Sequence, residues 1–319
     1  MDRVGPGLEN VASEAAESVD PVMPLDQRDE AFVMRSAMPE GIPQALFELT
    51  QLETFYQEEY QALWSYMRPN GRPSFTPPML GEFERWQDLI GKSFGSGGVP
   101  LRYLILGSRS PGVFCFGGDL DLFQRLIRDR DRDGLVRYGH RCCKILHRNM
   151  NTLDIPMLTI GLVEGAALGG GFEALLSFDY IVAERDATFG LPEVMFGLFP
   201  GMGAHAFLSR KLGSAMADRL IVSNETYTAE QMYEMGLVHV LAEPGEGLNA
   251  CREFIRKSER RHAGLVGARR ATRIAWNLEL QELTRITELW ADTALQLSEQ
   301  DLRIMNRLTS AQQRLADAA

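Results

Sequence analysis

The sequence predicts an α/β fold in which short buried strands alternate with helices. Two β-rich runs, Leu101–Ser108 and Leu158–Val163, lead into glycine-rich turns. Helical patterning follows those turns, and beyond about residue 245 the chain is predicted to be helical throughout. With 319 residues, 45% of them hydrophobic, the chain is long enough to bury one large core.

Each element has a local signal. In chain order, the predicted strands are Ala62–Met67, Tyr103–Leu106, Leu158–Val163, Asp179–Val182 and Leu237–Leu241. The predicted helices run from Pro77 toward Phe94, from Asp121 through His147, from the capping box at Thr228 to near Gly236, and from Leu278 to Leu315. Together, these strands and helices predict a core domain over residues 46–244 and a helical region over residues 245–319. The helical region is expected to cover the core or to contact a neighbouring subunit.

Composition restricts the classes of function. A net charge of −10 argues against nucleic-acid binding. No apolar run approaches the ~20 residues that span a bilayer, and the acidic N-terminus does not resemble a signal peptide, so we expect a cytoplasmic protein. Residues 1–30 carry eight acidic and two basic side chains, which predicts a flexible acidic leader over residues 1–45. Neither disulfide nor zinc-ligand spacing is found among Cys115, Cys142, Cys143 and Cys251.

The segment Gly165–Glu173 is the most informative stretch of the chain. Three successive glycines, Gly169 to Gly171, precede an apolar run that begins a helix, so free backbone amides are expected at its start. A second carboxylate, Glu193, follows in the sequence L-P-E. A lone glycine triplet followed by glutamate is more often a tight turn, but the ordered pair of motifs predicts that Glu173 and Glu193 are catalytic.

A second glycine turn completes the predicted site. Residues 114–120 read F-C-F-G-G-D-L after a predicted strand. If the backbone amides of Phe116 and Gly170 converge, they form a two-donor hole for the oxyanion of a thioester enolate. Gly117, Gly118 and Gly169 are then expected to lie against the substrate.

The motifs F-x-x-G-x-D-L, G-x-A-L-G-G-G-x-E and G-L-P-E resemble those of the enoyl-CoA hydratase/isomerase (crotonase) superfamily over about residues 101–241. The continuations at residues 119–123, 191–204 and 286–297 more narrowly resemble the bacterial synthases of diffusible signal factor, which make cis-2-unsaturated fatty acids. The superfamily resemblance implies a crotonase-like spiral of ββα turns that assembles as a homotrimer or hexamer.

The resemblance also implies a reaction. A 3-hydroxyacyl thioester, carried on acyl carrier protein or CoA, loses a C2 proton to one glutamate and receives a proton on its departing hydroxyl from the other. The narrower resemblance implies a cis-2 product, thioester hydrolysis and a possible sensor-protein partner. No metal, nicotinamide or flavin is called for. The alternatives are an ordinary enoyl-CoA hydratase/isomerase of fatty acid oxidation and a regulatory homologue that binds a sensor.

An apolar cluster beyond Glu193 is interpreted either as core or as the wall of an acyl pocket. Methionine adapts to irregular shapes, which suits a pocket for a long chain. The candidate substrate contacts are Met195, Phe196, Leu198, Phe199 and Met202, with Trp290 from the late helix at the far end.

Residues 252–273 form a basic segment in an acidic chain. They contain eight arginines or lysines and two glutamates. Such a run is usually a solvated helix face. The functional interpretation is a dock for the phosphates of CoA or acyl carrier protein, with contacts from Arg256, Lys257, Arg260 and Arg261.

Overall fold

The structure, a computed structural model, describes residues 40–95 and 98–318. Its strands are β1 (Leu52–Gln57), β2 (Ala62–Met67), β3 (Tyr103–Ser108), β4 (Val113–Cys115), β5 (Leu158–Val163), β6 (Ala166–Leu168), β7 (Tyr180–Glu184), β8 (Thr188–Gly190), β9 (Thr226–Thr228) and β10 (Val240–Ala242). Its helices are α1 (Pro77–Ser93), α2 (Leu120–Arg128), α3 (Arg132–Met150), α4 (Gly170–Leu175), α5 (Ala204–Leu212), α6 (Ser214–Val222), α7 (Ala229–Glu234), α8 (Gly247–Ser258), α9 (His262–Trp276), α10 (Leu280–Ala294) and α11 (Glu299–Ala318).

Most of the predicted leader, residues 1–39, lies outside the described residues. Near the end of the predicted leader, Ile42 is buried and belongs to the hydrophobic core. The packed part of the chain therefore includes residues just before the predicted boundary at residue 46.

Six strands form the larger sheet, in the order β1-β2-β3-β5-β7-β10. Neighbouring strands run parallel except β1 and β2, which pair antiparallel. Parallel strands covered on both faces are apolar along their whole length. Every residue of β2 and of β5 is buried, so these β-rich runs are central strands of a covered sheet.

A smaller sheet has the order β4-β6-β8-β9. Its first three strands each follow directly on a strand of the larger sheet, β4 after β3, β6 after β5 and β8 after β7. A helix or helical turn then returns the chain to the larger sheet. This repetition is the ββα spiral that the resemblance implies, and the predicted fold class is confirmed.

Two of the predicted helices are each divided in two. Before α3, Arg130 adopts a positive φ of 55°, and Asp131 accepts a hydrogen bond from the amide of Gly134 at 2.8 Å. Before α11, Ser298 and Asp301 exchange hydrogen bonds in the same way. Such caps satisfy the unpaired amides that open a new helix. Apolar spacing alone does not reveal these breaks, because the stripe continues across them.

Helix α10 covers the core above α3. A Cβ at Gly139 of α3 would lie 2.1 Å from Cγ2 of Thr287, so only glycine lets the two helices approach this closely. On the same face of α10, Trp290 is 2% exposed and packs edge-on against Phe123 at 5.0 Å between ring centroids. The late helices thus form one wall of the region where the glycine turns meet.

All four cysteines are buried, and none of them forms a disulfide. Over residues 40–95 and 98–318, each helix is either too short or too polar to cross a membrane.

Candidate active site

The two predicted glutamates line one small cavity of about 30 Å³. Glu173 lies in α4, which follows β6, and Glu193 opens a single 3₁₀ turn after β8. Strands β6 and β8 pair in parallel, and the amide of Gly169 donates to the carbonyl of Gly190 at 2.8 Å. Because the two loops leave neighbouring parallel strands at the same edge, their carboxylates meet. The structure brings the predicted pair together.

Two glycines of the triplet, Gly169 and Gly171, are required by close packing. Gly169 has a φ of +52°, and a Cβ there would lie 2.8 Å from Oε1 of Glu193. A Cβ at Gly171 would lie 2.2 Å from the carbonyl oxygen of Cys115 in β4. Glycine tolerates both the left-handed backbone and the close approach. The triplet therefore lets α4 pack directly against β4 and leaves room for the second glutamate.

Glu173 is the better hydrogen-bonded of the two carboxylates, although the residue is only 2% exposed. Its Oε1 accepts hydrogen bonds from the amides of Met202 and Ala204, each at 2.9 Å. Burial raises the pKa of Glu173, and these amides act in the opposite direction because they favour the charged form. Two backbone donors thus stand in for water around a buried carboxylate.

Glu193 has weaker support, a hydrogen bond from its own backbone amide. Its Oε2 is buried and has no hydrogen-bond partner among the described residues. Burial raises its pKa to about 8, and repulsion from the charge of Glu173 contributes in the same direction. Paired carboxylates titrate as a unit. The raised pKa favours the protonated form of Glu193, and the two amides favour the charged form of Glu173.

The Gly170 amide is available as the predicted oxyanion donor, but the Phe116 amide is not. The amide of Phe116 already donates to the carbonyl of Pro73 at 2.7 Å, so it points away from the cavity. Phe116 and Gly118 both line the cavity, and a Cβ at Gly170 would lie 3.5 Å from the Gly118 amide nitrogen. Among the described residues, neither the Gly118 amide nor the Gly170 amide has an acceptor. These two amides form the available donor pair.

The other predicted glycines divide into two roles. Gly169 lines the cavity beside Glu193. Gly117 does not line it: with a φ of +93°, it packs so tightly that a Cβ would lie 2.5 Å from the Gly170 amide nitrogen. Gly117 therefore lets the two loops pack closely together, and it does not contribute to the cavity wall.

The predicted acyl wall is partly present. Four of its members line the cavity of the two glutamates, namely Phe196, Leu198, Met202 and Trp290. Met195 does not, because it is 51% exposed on the outer side of the 3₁₀ turn. Phe199 does not line it either, and packs edge-on against His205 at 5.7 Å between ring centroids. In a tight helical turn, neighbouring side chains point in different directions, so a contiguous run cannot form one wall.

The basic candidates lie at the amino end of β3. Arg256 and Lys257 are on α8, and Arg260 and Arg261 are in the turn that follows. Beside them, the Ser258 hydroxyl is 2.9 Å from the hydroxyl of Tyr103, the first residue of β3. The glycine turns of the site follow the carboxyl ends of the strands. Docking at this cluster stays a prediction.

Sequence reasoning missed two parts of the site. Leu308 and Gln312 of α11 line the cavity of the glutamates, and Gln312 is 2% exposed. A second, apolar cavity of about 40 Å³ shares Gly170 and Met202 with the first and extends between α1 and α3. No motif marks either feature. Helix periodicity identifies which face of α11 is buried, but it does not say which cavity that face covers.

This geometry agrees with what comparison with known proteins shows. The family profile described as enoyl-CoA hydratase/isomerase matches residues 99–270, more than half of the chain. The chain belongs to the enoyl-CoA hydratase/isomerase family. The matched region contains the donor pair, both glutamates and β3 to α8 of the spiral.

Individual members of the family match over part of the chain. Methylglutaconyl-CoA hydratase of Rattus norvegicus is 33% identical over 163 residues, 49% of this chain and 50% of that protein. Short-chain-enoyl-CoA hydratase of Clostridium acetobutylicum is 39% identical over 110 residues, 34% of this chain and 41% of that protein. The chain thus spans half or less of the length of these two curated relatives.

The fold extends further than the sequence similarity. Enoyl-CoA hydratase from Bacillus halodurans superposes with a TM-score of 0.68 over 85% of this chain and 100% of that structure, at 20% identity. At this identity, the likeness establishes the fold and leaves the chemistry to the site itself.

Proposed function

We propose that the protein adds water to, and removes it from, the C2–C3 bond of an acyl thioester, interconverting 2-enoyl and 3-hydroxyacyl forms. One observation carries the proposal. Two carboxylates, one of them with a pKa raised to about 8, share a small cavity with two unused backbone amides. General base, general acid and oxyanion donors are the three groups that this reaction requires.

The steps follow from the protonation states. The thioester carbonyl oxygen accepts from the amides of Gly118 and Gly170, which stabilise the enolate formed when water adds. Glu173 takes a proton from water as the oxygen bonds to C3, and Glu193 gives its proton to C2. Proton exchange between the two carboxyls then restores the starting state. Dehydration is the same path in reverse, so each glutamate has an assigned role, which the sequence leaves open.

A CoA thioester is the favoured carrier. The two curated relatives described above are, by their names, hydratases of CoA thioesters. Pantetheine-linked acyl groups on CoA or acyl carrier protein present the same thioester, so the cavity does not distinguish the two carriers.

The narrower proposal is release of a cis-2-unsaturated fatty acid signal by dehydration and thioester hydrolysis. It rests on the sequence continuations described above and stays a prediction, as do the sensor partner and the trimeric or hexameric state. Its chemical requirement is that water, activated by one glutamate, reaches the thioester carbonyl as well as C3. Mass spectrometry of the products from a 3-hydroxyacyl thioester separates the proposals: free cis-2 acid supports the narrower one, and trans-2-enoyl thioester alone supports the hydratase.

Hydration of a 2-enoyl-CoA, followed as loss of enoyl absorbance, tests the proposal directly. Glu173→Gln and Glu193→Gln are each expected to lower kcat by roughly 10²-fold or more, the usual contribution of general acid–base catalysis. Glu164→Gln is the matched control, because Glu164 is a carboxylate that does not line the cavity. Near-normal turnover by either cavity variant contradicts the mechanism.

Carrier docking has its own test. Reversal of Arg256, Lys257, Arg260 and Arg261 to glutamate is expected to raise KM for substrate on acyl carrier protein at low salt. The effect should shrink at high salt, because exposed charges are screened beyond about 10 Å. An unchanged KM at low salt means that the cluster is only a solvated face.

A further inference from the structure

The Gly118 amide, one of the two oxyanion donors, takes its direction from a pairing with an earlier loop. Phe75 lies just before α1 and forms an isolated parallel bridge with Gly118. The Phe75 amide donates to the carbonyl of Gly117 at 2.7 Å. In a trans peptide the carbonyl and the following N–H point in opposite directions, so this bond turns the N–H of Gly118 away from Phe75. A bond made outside the catalytic cavity thus orients a donor that lines it.

The hydroxyl of Tyr138 joins the other side of the same bridge. Tyr138 extends from α3, and its hydroxyl accepts a hydrogen bond from the amide of Asp119 at 3.3 Å and donates one to the carbonyl of Phe75. These directions are fixed, because an amide N–H only donates and a carbonyl only accepts. One side chain therefore connects the residue after Gly118 with the residue that orients Gly118.

Tyr138 is enclosed by the protein and does not reach the reacting groups. The residue is 4% exposed and lines neither the catalytic cavity nor the apolar cavity beside it. Its ring packs edge-on against Phe123 at 4.9 Å between centroids, and a Cβ at Gly118 would lie 3.7 Å from its hydroxyl oxygen. Burial raises the pKa of Tyr138 well above its usual range, so the hydroxyl keeps its proton. Any effect of Tyr138 on the reaction must pass through the Gly118 loop.

We propose that Tyr138 is a positioning residue for hydration, because its hydroxyl keeps the Gly118 amide directed at the thioester carbonyl oxygen. The inference rests on the proposed function, in which Gly118 and Gly170 are the oxyanion donors. Negative charge grows on that oxygen as the enolate forms, so a misdirected donor destabilises the transition state more than the bound substrate. Loss of the hydroxyl therefore lowers kcat more than it raises KM.

The kinetic test compares Tyr138→Phe with Tyr56→Phe as the matched control. Tyr56 is 3% exposed, lines neither cavity, and donates its hydroxyl to the carbonyl of Pro100. Both variants lose a buried hydroxyl and should have a lower Tm. Only Tyr138→Phe is expected to lower kcat for hydration of a 2-enoyl-CoA, by about tenfold or more, while KM changes by less than about threefold. The pH above which kcat/KM falls should not move, because both glutamates are unchanged.

A saturated acyl-CoA with an isotope-labelled thioester carbonyl gives a readout that does not depend on turnover. It has no C2–C3 double bond to hydrate, and hydrogen bonds to its carbonyl oxygen lower the C=O stretching frequency in the infrared difference spectrum. We expect a lowered frequency when this thioester binds the wild-type protein or Tyr56→Phe. In Tyr138→Phe the frequency should move back toward that of the free thioester.

The outcomes separate the two proposals. A wild-type protein that lowers the C=O frequency but hydrates no 2-enoyl-CoA contradicts only the proposed reaction. A frequency that does not change on binding contradicts the donor pair and, with it, the role of Tyr138. Equal kcat and equal C=O frequency in the two variants contradict the positioning role alone and leave Tyr138 a purely structural residue.

Hydrogen exchange of the wild-type protein decides the question if Tyr138→Phe fails to fold. The Asp119 amide should exchange slowly with or without the saturated acyl-CoA, because its acceptor is the buried hydroxyl. The Gly118 amide should become protected only when the thioester is bound. An Asp119 amide that exchanges as fast as an exposed loop amide contradicts its bond to Tyr138 and therefore the proposal.

Discussion

Gly169 and Glu193 are in contact: a Cβ at Gly169 would lie 2.8 Å from Oε1 of the glutamate. The glycine therefore defines the space that the catalytic acid occupies. Its φ of +52° is also one that a residue with a side chain seldom adopts. Backbone conformation and carboxylate position are thus coupled at a single residue.

Replacement of Gly169 by alanine is expected to lower kcat by at least about tenfold, because the methyl group displaces the acid and misplacement of a reacting group by ~1 Å can cost 10²-fold. Gly236→Ala is the matched control. Gly236 also has a left-handed φ, +82°, but no atom lies within 4 Å of its Cβ position. Both variants should lose stability, measured by Tm, and only Gly169→Ala should lose activity. Equal kcat in the two variants contradicts the steric role.

The pH dependence of catalysis should reflect the shared proton. Activity requires one proton on the pair, and Glu193 loses it through a pKa of about 8. We therefore expect kcat/KM to fall above about pH 8, by tenfold per pH unit once the proton is lost. A kcat/KM that stays constant from about pH 7 to pH 10 contradicts the shared-proton mechanism.

The same carboxyl should make stability depend on pH. Unfolded glutamate ionises near pH 4.5, whereas folded Glu193 retains its proton to about pH 8. The folded state binds more protons between these values, so the free energy of unfolding falls as pH rises through this window. At about 1.4 kcal/mol per pKa unit, Glu193→Gln should be more stable than wild type by a few kcal/mol near pH 8, and equally stable near pH 4. Urea unfolding at the two pH values measures the difference, and a constant difference contradicts the assignment.

The meeting of the two glutamates in one cavity was predictable because its signal is local. Glycines followed by glutamate, and L-P-E after a strand, each specify a turn from neighbouring residues. The oxyanion donor was misplaced by two residues, since the partner of the Phe116 amide is Pro73, far earlier in the chain. Such a bond exists only after the loop before α1 has packed beside β4, and no pattern around residue 116 encodes it.

The pocket walls were harder to predict for the same reason. Met195 and Phe196 are adjacent and similarly apolar, yet one is 51% exposed and the other 2%. The 3₁₀ turn that decides between them is specified by contacts with α11.

Gln312 provides the last prediction. Its side chain is 2% exposed, lines the catalytic cavity from α11, and has an Oε1 with no partner among the described residues. We expect this oxygen to accept a hydrogen bond from the reacting water or the 3-hydroxyl. Gln312→Leu should then lower kcat/KM by about tenfold, the worth of one hydrogen bond of about 1–1.5 kcal/mol.

Stability separates this role from a structural one. Removing an unpaired buried amide costs no protein hydrogen bond at Oε1, so the Tm of Gln312→Leu should match or exceed that of the wild type. Ser310→Ala is the control on the same helix, since Ser310 is exposed and its hydroxyl bonds only to the carbonyl of Asn306. It should change neither kcat/KM nor Tm appreciably. A Gln312→Leu variant with lower Tm and normal kcat/KM shows that the residue serves only the packing of α11, and that the reacting oxygen finds its partners in the two glutamates alone.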